Sequence, residues 1–420
     1  MVEAIPTGLQ RTAAPPAGRD RLPIAASLTA DAISLTGNAL TALAIPWFVL
    51  VTTGSAAKTG VVAFAQMLPV VLASFFGGAL VDRVGRKQLS ITADVLSGLT
   101  VAAVPLLYHT IGLAFWQLLL LVFLGAMLDA PGSTARHAMQ PDLVARAGMS
   151  LERANAASHL IQSASMLIGP ILGGVLIASL GASNVLWIDA ASFALSALIF
   201  AAFVPATIRH PASGGRYLDE VMEGLRFLRR DRALWTLLLL AATLNFVGAP
   251  LFSVVLPVYV QQNYESARDL GYLIAGFGAG AVLSALAYGA LGPRLPRWAT
   301  AVAMHAVAAA AFCALVLMPP LPVAVVVMAV VGIAAGAFNP LVTTILQERT
   351  PPDLRGRVFG SVAASAMVAA PAGMLLAGVA IEAAGLRAVL GAIAAAFTAV
   401  TLVFLIQPSL KGIDRPPDLR

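Results

Sequence analysis

Charged side chains are scarce in this 420-residue chain: Asp, Glu, Lys and Arg together make up 11% of it. A soluble domain carries about 25%, so the chain lacks the polar groups needed to coat a water-facing surface. Lysine is confined to Lys58, Lys87 and Lys411, and arginine supplies the other basic charge. Cysteine occurs once, as Cys313, which excludes a disulfide framework and a cysteine-built metal site. Also missing are a phosphate-cradling Gly-x-x-x-x-Gly-Lys loop, a Gly-x-Ser-x-Gly nucleophile elbow and a His-Glu-x-x-His zinc motif. These absences exclude ATP-driven work by this chain alone. No catalytic constellation, cofactor or metal is expected.

What is present is apolar. The hydrophobic share is 59% and the mean hydropathy is +0.87. A bilayer core about 30 Å thick needs roughly 20 apolar residues in helical form. Runs of that kind fall near 22–52, 57–81, 88–111, 114–135, 154–180, 184–206, 233–262, 268–292, 298–319, 321–346, 357–383 and 386–407. They are far too long for barrel strands, and only helices or closed barrels satisfy backbone groups in lipid. The expected class is therefore an all-α membrane protein of twelve spans. The first run is too long for a signal-peptide core and reads as the first span.

The positive charges orient the spans. With a cytoplasmic N-terminus, 23 of the 26 basic residues fall in cytoplasmic segments, and only Lys58, Arg268 and Arg387 lie outside. This bias is what the positive-inside rule predicts for an even span count with both termini cytoplasmic. The net charge of +6 thus reports topology rather than nucleic-acid binding. The expected location is the bacterial inner or plasma membrane.

Sliding the chain against itself by 211 residues superposes several informative positions. Arg19-Asp20-Arg21 falls on Arg230-Asp231-Arg232, Pro46 on Pro257, Gly60 on Gly271, Gly78-Ala79-Leu80 on Gly289-Ala290-Leu291, Arg83 on Arg294 and Arg86 on Arg297. Proline and glycine mark kinks and close packing in membrane helices, so their coincidence implies two halves of one shape. The expected organisation is a tail 1–21, a six-helix bundle 22–206, a cytoplasmic linker 207–232 with a surface helix around 217–228, a second bundle 233–407 and a tail 408–420. Parallel repeats of this kind build transporters whose substrate site lies at the midplane between the halves.

After the second span stands Gly78-x-x-x-Asp82-Arg83-x-Gly85-Arg86-Lys87. Gly78 permits close helix approach, and Gly85 can take the positive φ of a tight turn. In this place and spacing the pattern resembles the signature loop of the major facilitator superfamily. In the fifth span, Gly169-Pro170-x-x-Gly173-Gly174 resembles the core of the antiporter motif of proton-coupled exporters, with Ser165 and Ala156 where that motif has further glycines. Pro141-Asp142-Leu143, Ile188-Asp189-Ala190-x-Ser192-Phe193 and Pro352-Asp353-Leu354-Arg355-Gly356-Arg357-Val358 resemble a drug:proton antiporter-like branch. That branch includes macrolide exporters, Tap-type multidrug pumps and enterobactin exporters. The similarity runs from about Leu22 to Gln407. It implies alternating access and proton-driven export of amphipathic small molecules. It also implies a cytoplasmic gate made by Gly78, Asp82, Arg83, Gly85, Arg86, Lys87, Asp94 and Arg136. One departure stands out: 117–135 contains no arginine, whereas many drug/proton antiporters carry one in mid fourth span.

On the first span Ser27, Asp31, Ser34, Asn38 and Thr41 share one helical face. A polar stripe is costly in lipid and should face a wet cavity or another helix. Asp31 is a candidate proton site or a solvated acid at the cavity mouth. Ser34, Asn38 and Thr41 are candidate substrate contacts, with an inter-helix hydrogen bond as the other reading for Asn38. Gln162 on the fifth span, Asn245 on the seventh and Asn339 on the tenth are further cavity candidates. Asp129, near the inner end of the fourth span, is a second proton candidate or a plain end residue. Asp189 reads as structural, and so does His159.

The expected function is proton-coupled export of drugs or antibiotics, with small molecule, protons and lipid as partners and a monomer as the unit. An exporter of an endogenous metabolite or siderophore is the alternative on the same fold. A non-transporting receptor or scaffold is the third reading, disfavoured by the sparse soluble segments.

Overall fold

The computed structural model describes residues 20–206, 217–264, 266–352 and 354–414, and side chains throughout these except at 73–84, 217–220 and 293. The tails 1–19 and 415–420, and 207–216 of the expected linker, lie outside the described residues. Among the described residues the structure is helical, without strands.

The first half contains α1 (Leu22–Thr53), α2 (Ala56–Val84), α3 (Arg86–Thr110), α4 (Phe115–Ala147), α5 (Leu151–Leu180) and α6 (Ala182–Phe203). A short α7 (Tyr217–Arg230) leads into the second half. That half contains α8 (Arg232–Pro250), α9 (Leu256–Asn263), α10 (Ala267–Leu291), α11 (Arg297–Val316), α12 (Leu321–Gly336), α13 (Phe338–Arg349), α14 (Arg355–Ala384) and α15 (Leu386–Ile406). Eleven of the described spans are long and apolar enough to cross a bilayer, counting α8 with α9, and α12 with α13, as one each. The remaining helix of the expected twelve is α2, continuous over 29 residues, with a shorter apolar stretch at Ala56–Leu72.

Local chemistry sets the ends. The Asp231 carboxylate accepts from the Ala233 and Leu234 amides and caps α8, at 2.8 and 3.2 Å. Gly85, between α2 and α3, has φ of +96°, the backbone state that the tight turn required of a glycine. Two spans are interrupted. A π-helical turn, Leu251–Val255, joins α8 to α9, and Ala337 separates α12 from α13. The π turn lies between Pro250 and Pro257, two prolines seven residues apart that each withhold an N–H from the α-helical ladder.

The fourth span differs from its expected bounds. Hydropathy ends it at 135, but α4 continues past Pro141 to Ala147, and Arg136 lies within the helix, 6% exposed. The guanidinium is tolerated there because carboxylates meet it, as described below.

Side-chain packing falls into one shared core and two separate ones. The largest cluster joins Phe48, Leu50 and Leu186 of the first half to Tyr259, Leu270, Phe312 and Leu390 of the second. All sit toward the end of the molecule away from most of the arginines, termed here the far end. Toward the basic end the halves have their own cores, around Met139, Leu143 and Phe200 in the first and Leu234, Leu341 and Phe404 in the second. Ion pairs at the basic end likewise stay within a half: Arg86 with Asp142 and Arg146 with Asp20 in one, Arg297 with Glu348 and Arg349 with Asp231 in the other. Among the described residues, Ser55 donating to Glu382 at the far end is the hydrogen bond that crosses between halves. Among the described residues the halves share a core at the far end and keep separate cores at the basic end.

Two helix crossings close the far end. In one, α2 meets α14 at Gly60 and Gly378; a Cβ on Gly60 would come within 2.6 Å of the Met374 carbonyl oxygen and 3.1 Å of the Gly378 Cα. In the other, α5 meets α10 at Gly174 and Gly271; a Cβ on Gly174 would lie 2.8 Å from the Ala267 oxygen and 3.0 Å from the Gly271 Cα. Gly60 and Gly271, one from each crossing, are the pair superposed by the 211-residue offset, and their partners Gly174 and Gly378 are 204 residues apart. Small residues are what allow membrane helices this proximity.

Gly378→Val is expected to destabilise the far-end-closed arrangement by about 1–3 kcal/mol through overpacking. In a Cys313→Ser background carrying Ala42→Cys, labelling by an impermeant thiol reagent applied from the far side should rise about tenfold or more. Unchanged labelling would show that the crossing does not hold this end shut.

Candidate functional site

The polar groups of the interior gather in the first half, around Arg136 of α4. Its Nε donates to Ser90 Oγ of α3 at 2.8 Å, Nη1 to Asp31 Oδ1 of α1 at 2.9 Å, and Nη2 to Asp94 of α3 and to Ser196 Oγ of α6 at 3.0 Å. The guanidinium also lies over the Phe200 ring, 5.1 Å from its centroid. One side chain thereby ties α1, α3, α4 and α6. Its fork geometry suits two carboxylates at once, which a lysine could not match.

The polar stripe on α1 proves to be a row of partners for acids on neighbouring helices. Asp31 pairs with Arg136. One turn and more along, Asn38 Nδ2 donates to Asp129 Oδ2 of α4 at 3.3 Å. Farther on, the Thr41 hydroxyl donates to Asp189 of α6, which also accepts from Ser192 Oγ at 3.1 Å. Asp189 is fully buried. Asn38 makes an inter-helix hydrogen bond and also lines two cavities. Four carboxylates (Asp31, Asp94, Asp129 and Asp189) thus sit in one half with a single guanidinium among them. Asp129 and Asp189 have no cation at ion-pair distance among the described residues.

Three cavities adjoin this system. Toward the basic end, one of about 160 Å³ is lined by Asp31, Ser34, Asn38, Asp129, Arg136 and Gln162, with exposed His159 at its wall. Deeper, one of about 360 Å³ is lined by Asn38, Thr41, Gln66, Asp129 and Asp189 from the first half and by Ser253 and Met374 from the second. Asn38 and Asp129 line both, so the two cavities adjoin at that hydrogen-bonded pair. The third, about 570 Å³, lies between the halves and is mostly apolar: Met166, Leu167, Phe252, Ile274, Phe277 and Met374 face it. Phe252 and Phe277 meet edge to face, with centroids 4.8 Å apart.

The structure therefore brings together Asp31, Asp129, Ser34, Asn38, Thr41 and Gln162. It places Asn245 elsewhere, with its amide donating to the Ala241 carbonyl of its own helix at 2.9 Å. Asn339 is exposed at the start of α13, and neither asparagine lines these cavities. Asp189 joins the site although its position near the far end of the sixth span reads as structural. Its signal was the acid itself, set in an 18-residue apolar window.

Of the expected gate residues, the side chains of Gly78, Asp82 and Arg83 lie outside the described residues. Arg86 donates to the Ala138 carbonyl at 2.9 Å and pairs with Asp142 at 3.5 Å, and Lys87 donates to the Ala201 carbonyl at 2.9 Å. These bonds anchor the turn after α2 onto α4 and α6. The Gly169–Gly174 motif serves two neighbours: Gly169 and Gly173 lie against Ala39 and Leu43 of α1, Gly174 lies against α10, and Pro170 lines the apolar cavity.

Comparison with known proteins adds to this geometry. The sequence model of the Major Facilitator Superfamily matches residues 28–360 and, overlapping, 238–419. The multidrug efflux pump Tap of Mycobacterium tuberculosis is 36% identical over 396 residues, covering 93% of this chain and 94% of that one. Macrolide efflux protein A of Streptococcus pyogenes is 25% identical over 357 residues, covering 82% and 86%. Among solved structures, the nucleoside transporter NupG superposes with a TM-score of 0.74 at 14% identity over 91% of this chain and 98% of that one. A bacterial homologue of the iron transporter ferroportin, in an inward-facing state, gives 0.67 at 16% identity, over 91% and 97%.

Removing the arginine tests the hub. Arg136→Leu leaves Asp31 and Asp94 facing one another without a cation and should cost about 3–5 kcal/mol. This is measured as a lowered thermal midpoint in detergent, with Arg136→Lys falling between. An unshifted midpoint would show that the cluster does not hold the bundle.

Proposed function

Because this chain belongs to the major facilitator superfamily, we propose that it is a multi-pass membrane exporter of amphipathic small molecules, drugs and antibiotics among them, driven by protons. The observation that carries this reading is the chamber itself. A mostly apolar cavity between two bundles adjoins one that buried acids line, and among the described residues the bundles keep separate cores at one end. An apolar wall with few polar groups suits a binder of varied lipophilic molecules. The efflux names of the relatives in Mycobacterium tuberculosis and Streptococcus pyogenes support the same direction of transport.

The basic end is the cytoplasmic one in this proposal, by the positive-inside rule, so both termini are cytoplasmic. The units that move are the bundles 22–206 and 233–407. The parted basic end is the state that admits substrate from the cytoplasm or inner leaflet, and the far-end core beside the glycine crossings must open to release it. The turn at Asp82 to Lys87 is the gate that meets the second half when the basic end closes, and Asp94 and Arg136 brace the bundle that carries it. A single chain encloses the whole chamber, and the monomer is the transporting unit.

Asp129 is the residue we assign to the proton. Asp31 has Arg136 at 2.9 Å, whereas Asp129 has an asparagine amide and two cavities. An acid with no cation beside it, lining both cavities, loses its charge on taking up a proton, which removes the cost of a buried unpaired carboxylate. Substrate entering the deeper chamber contacts the same group, which couples the two loads.

Expression in a pump-deficient host should raise resistance to several unrelated drugs, and a protonophore should abolish the effect. In proteoliposomes, Asp129→Asn should retain downhill dye flux while losing at least tenfold of the uphill flux driven by a pH gradient. Asp31→Asn should lower both together. Uphill flux intact in Asp129→Asn would move the proton elsewhere, and no flux from the unaltered protein would remove the export reading.

A further inference from the structure

The polar and apolar chambers share three lining residues: Ala42 of α1, Ser253 of the π turn and Met374 of α14. These mark where the two chambers adjoin, termed here the throat. Ala42 and Ser253 are separated by 211 residues, the offset of the internal repeat, and each precedes a proline by four positions, Pro46 and Pro257. Proline offers no N–H, so the carbonyls of Ala42 and Ser253 both lack the usual helical donor. The duplication has thus placed equivalent positions of the two halves at the same constriction. They differ in one atom group: a methyl from the first half, a hydroxymethyl from the second.

That hydroxyl is singular in its surroundings. Every other second-half residue lining the two chambers is apolar: Ala249, Phe252, Ile274, Phe277, Gly278, Ala281, Val282 and Met374. The Ser253 hydroxyl has only a long internal contact, 3.4 Å to the Ala249 carbonyl. It is displayed by a π-helical turn, an irregularity that recurs at functional sites in helices. A hydroxyl that lines both an acid-lined chamber and an apolar one, free to turn from its weak internal acceptor, is placed to bond a molecule occupying both.

We propose that Ser253 is a specificity-determining residue of the transport site. It hydrogen-bonds a substrate whose polar end lies beside Asn38, Thr41 and Gln66 and whose apolar body fills the chamber between the halves. The substrates it favours are amphipathic molecules with an oxygen at the junction of those two parts, such as an ester, ether, ketone or hydroxyl. Molecules that are hydrocarbon at that point gain nothing from it. The inference rests on the export reading above, and its test separates the two.

The probes are rhodamine 6G, which carries an ester and a ring oxygen, and tetraphenylphosphonium, which has no hydrogen-bonding group. In proteoliposomes Ser253→Ala should raise the KM for rhodamine 6G roughly three- to tenfold, the value of one neutral hydrogen bond, with kcat little changed. The KM for tetraphenylphosphonium should stay as it was. Adding Ala42→Ser to Ser253→Ala, which moves the hydroxyl across the throat, should restore part of the loss. Equal effects on both probes would mark a structural role and overturn the assignment, as would no effect on either.

A labelling measurement decides the geometry without transport. In Cys313→Ser, Ser253→Cys should react with N-ethylmaleimide in inside-out vesicles, and rhodamine 6G should slow the reaction at least threefold. A thiol there that does not react, or that reacts at the same rate with and without the dye, overturns the proposal. If the unaltered protein moves neither probe, the export reading fails, while the labelling still decides whether Ser253 faces an open, ligand-accessible throat.

Discussion

An arginine inside a membrane helix is the constraint from which the first bundle takes its form. Arg136 is buried, and its fork holds Asp31, Asp94, Ser90 and Ser196 on three other helices. A guanidinium in a low-dielectric interior is tolerable only with carboxylates in good geometry around it. Those carboxylates must come from neighbouring helices, so the ion cluster fixes which helices touch and at what height. The α1 stripe follows from this: once Asp31 is set on Arg136, the 3.6-residue period brings Asn38 toward α4 and Thr41 toward α6. The two acids met there, Asp129 and Asp189, are left without a cation, and the chemistry of the chamber grows from that residue of charge.

The halves share a shape but divide the labour. The repeat preserves Gly60 with Gly271 and Pro46 with Pro257, the positions that set close approach and bending. It does not preserve the polar interior: the second half sends Phe252, Phe277 and Ile274 to the shared chamber, and its buried His305 is stacked among Phe404, Phe338 and Phe397 away from that chamber. Equivalent positions have been free to diverge wherever shape was not at stake. The first span of each half shows how far: α1 runs unbroken over 32 residues, whereas its counterpart breaks into a π turn between Pro250 and Pro257. Ala39 stands where the second half has Pro250.

The spans were legible because a bilayer imposes a length and an apolar composition that few other environments demand, and the arginine bias follows the same logic. The repeat was legible because proline and glycine are punctuation. Arg136 was placed beyond the span because the weakly apolar Gly132-Ser133-Thr134 before it and the guanidinium itself bring hydropathy down there. What keeps that charge inside, Asp94 and Asp31, is distant in sequence and visible only after packing. Asn38 and Thr41 could be assigned to a face by period alone, but their partners on α4 and α6 could not. Ser253 gave almost no signal, since serine is common in membrane helices. Only its place opposite Ala42, four residues before a repeated proline, sets it apart.

The two far-end crossings also have a mechanical meaning. Each is a point where backbones touch without intervening side chains, one between α2 and α14 and the other between α5 and α10. Two points on opposite flanks of an interface define a line, and two rigid bodies in contact along a line can tilt about it. With no rotamers to unlock at the pivots, the resistance to such a tilt resides in the seams on either side, where side chains interlock. A chain built this way needs no flexible joint: four glycines act as bearings.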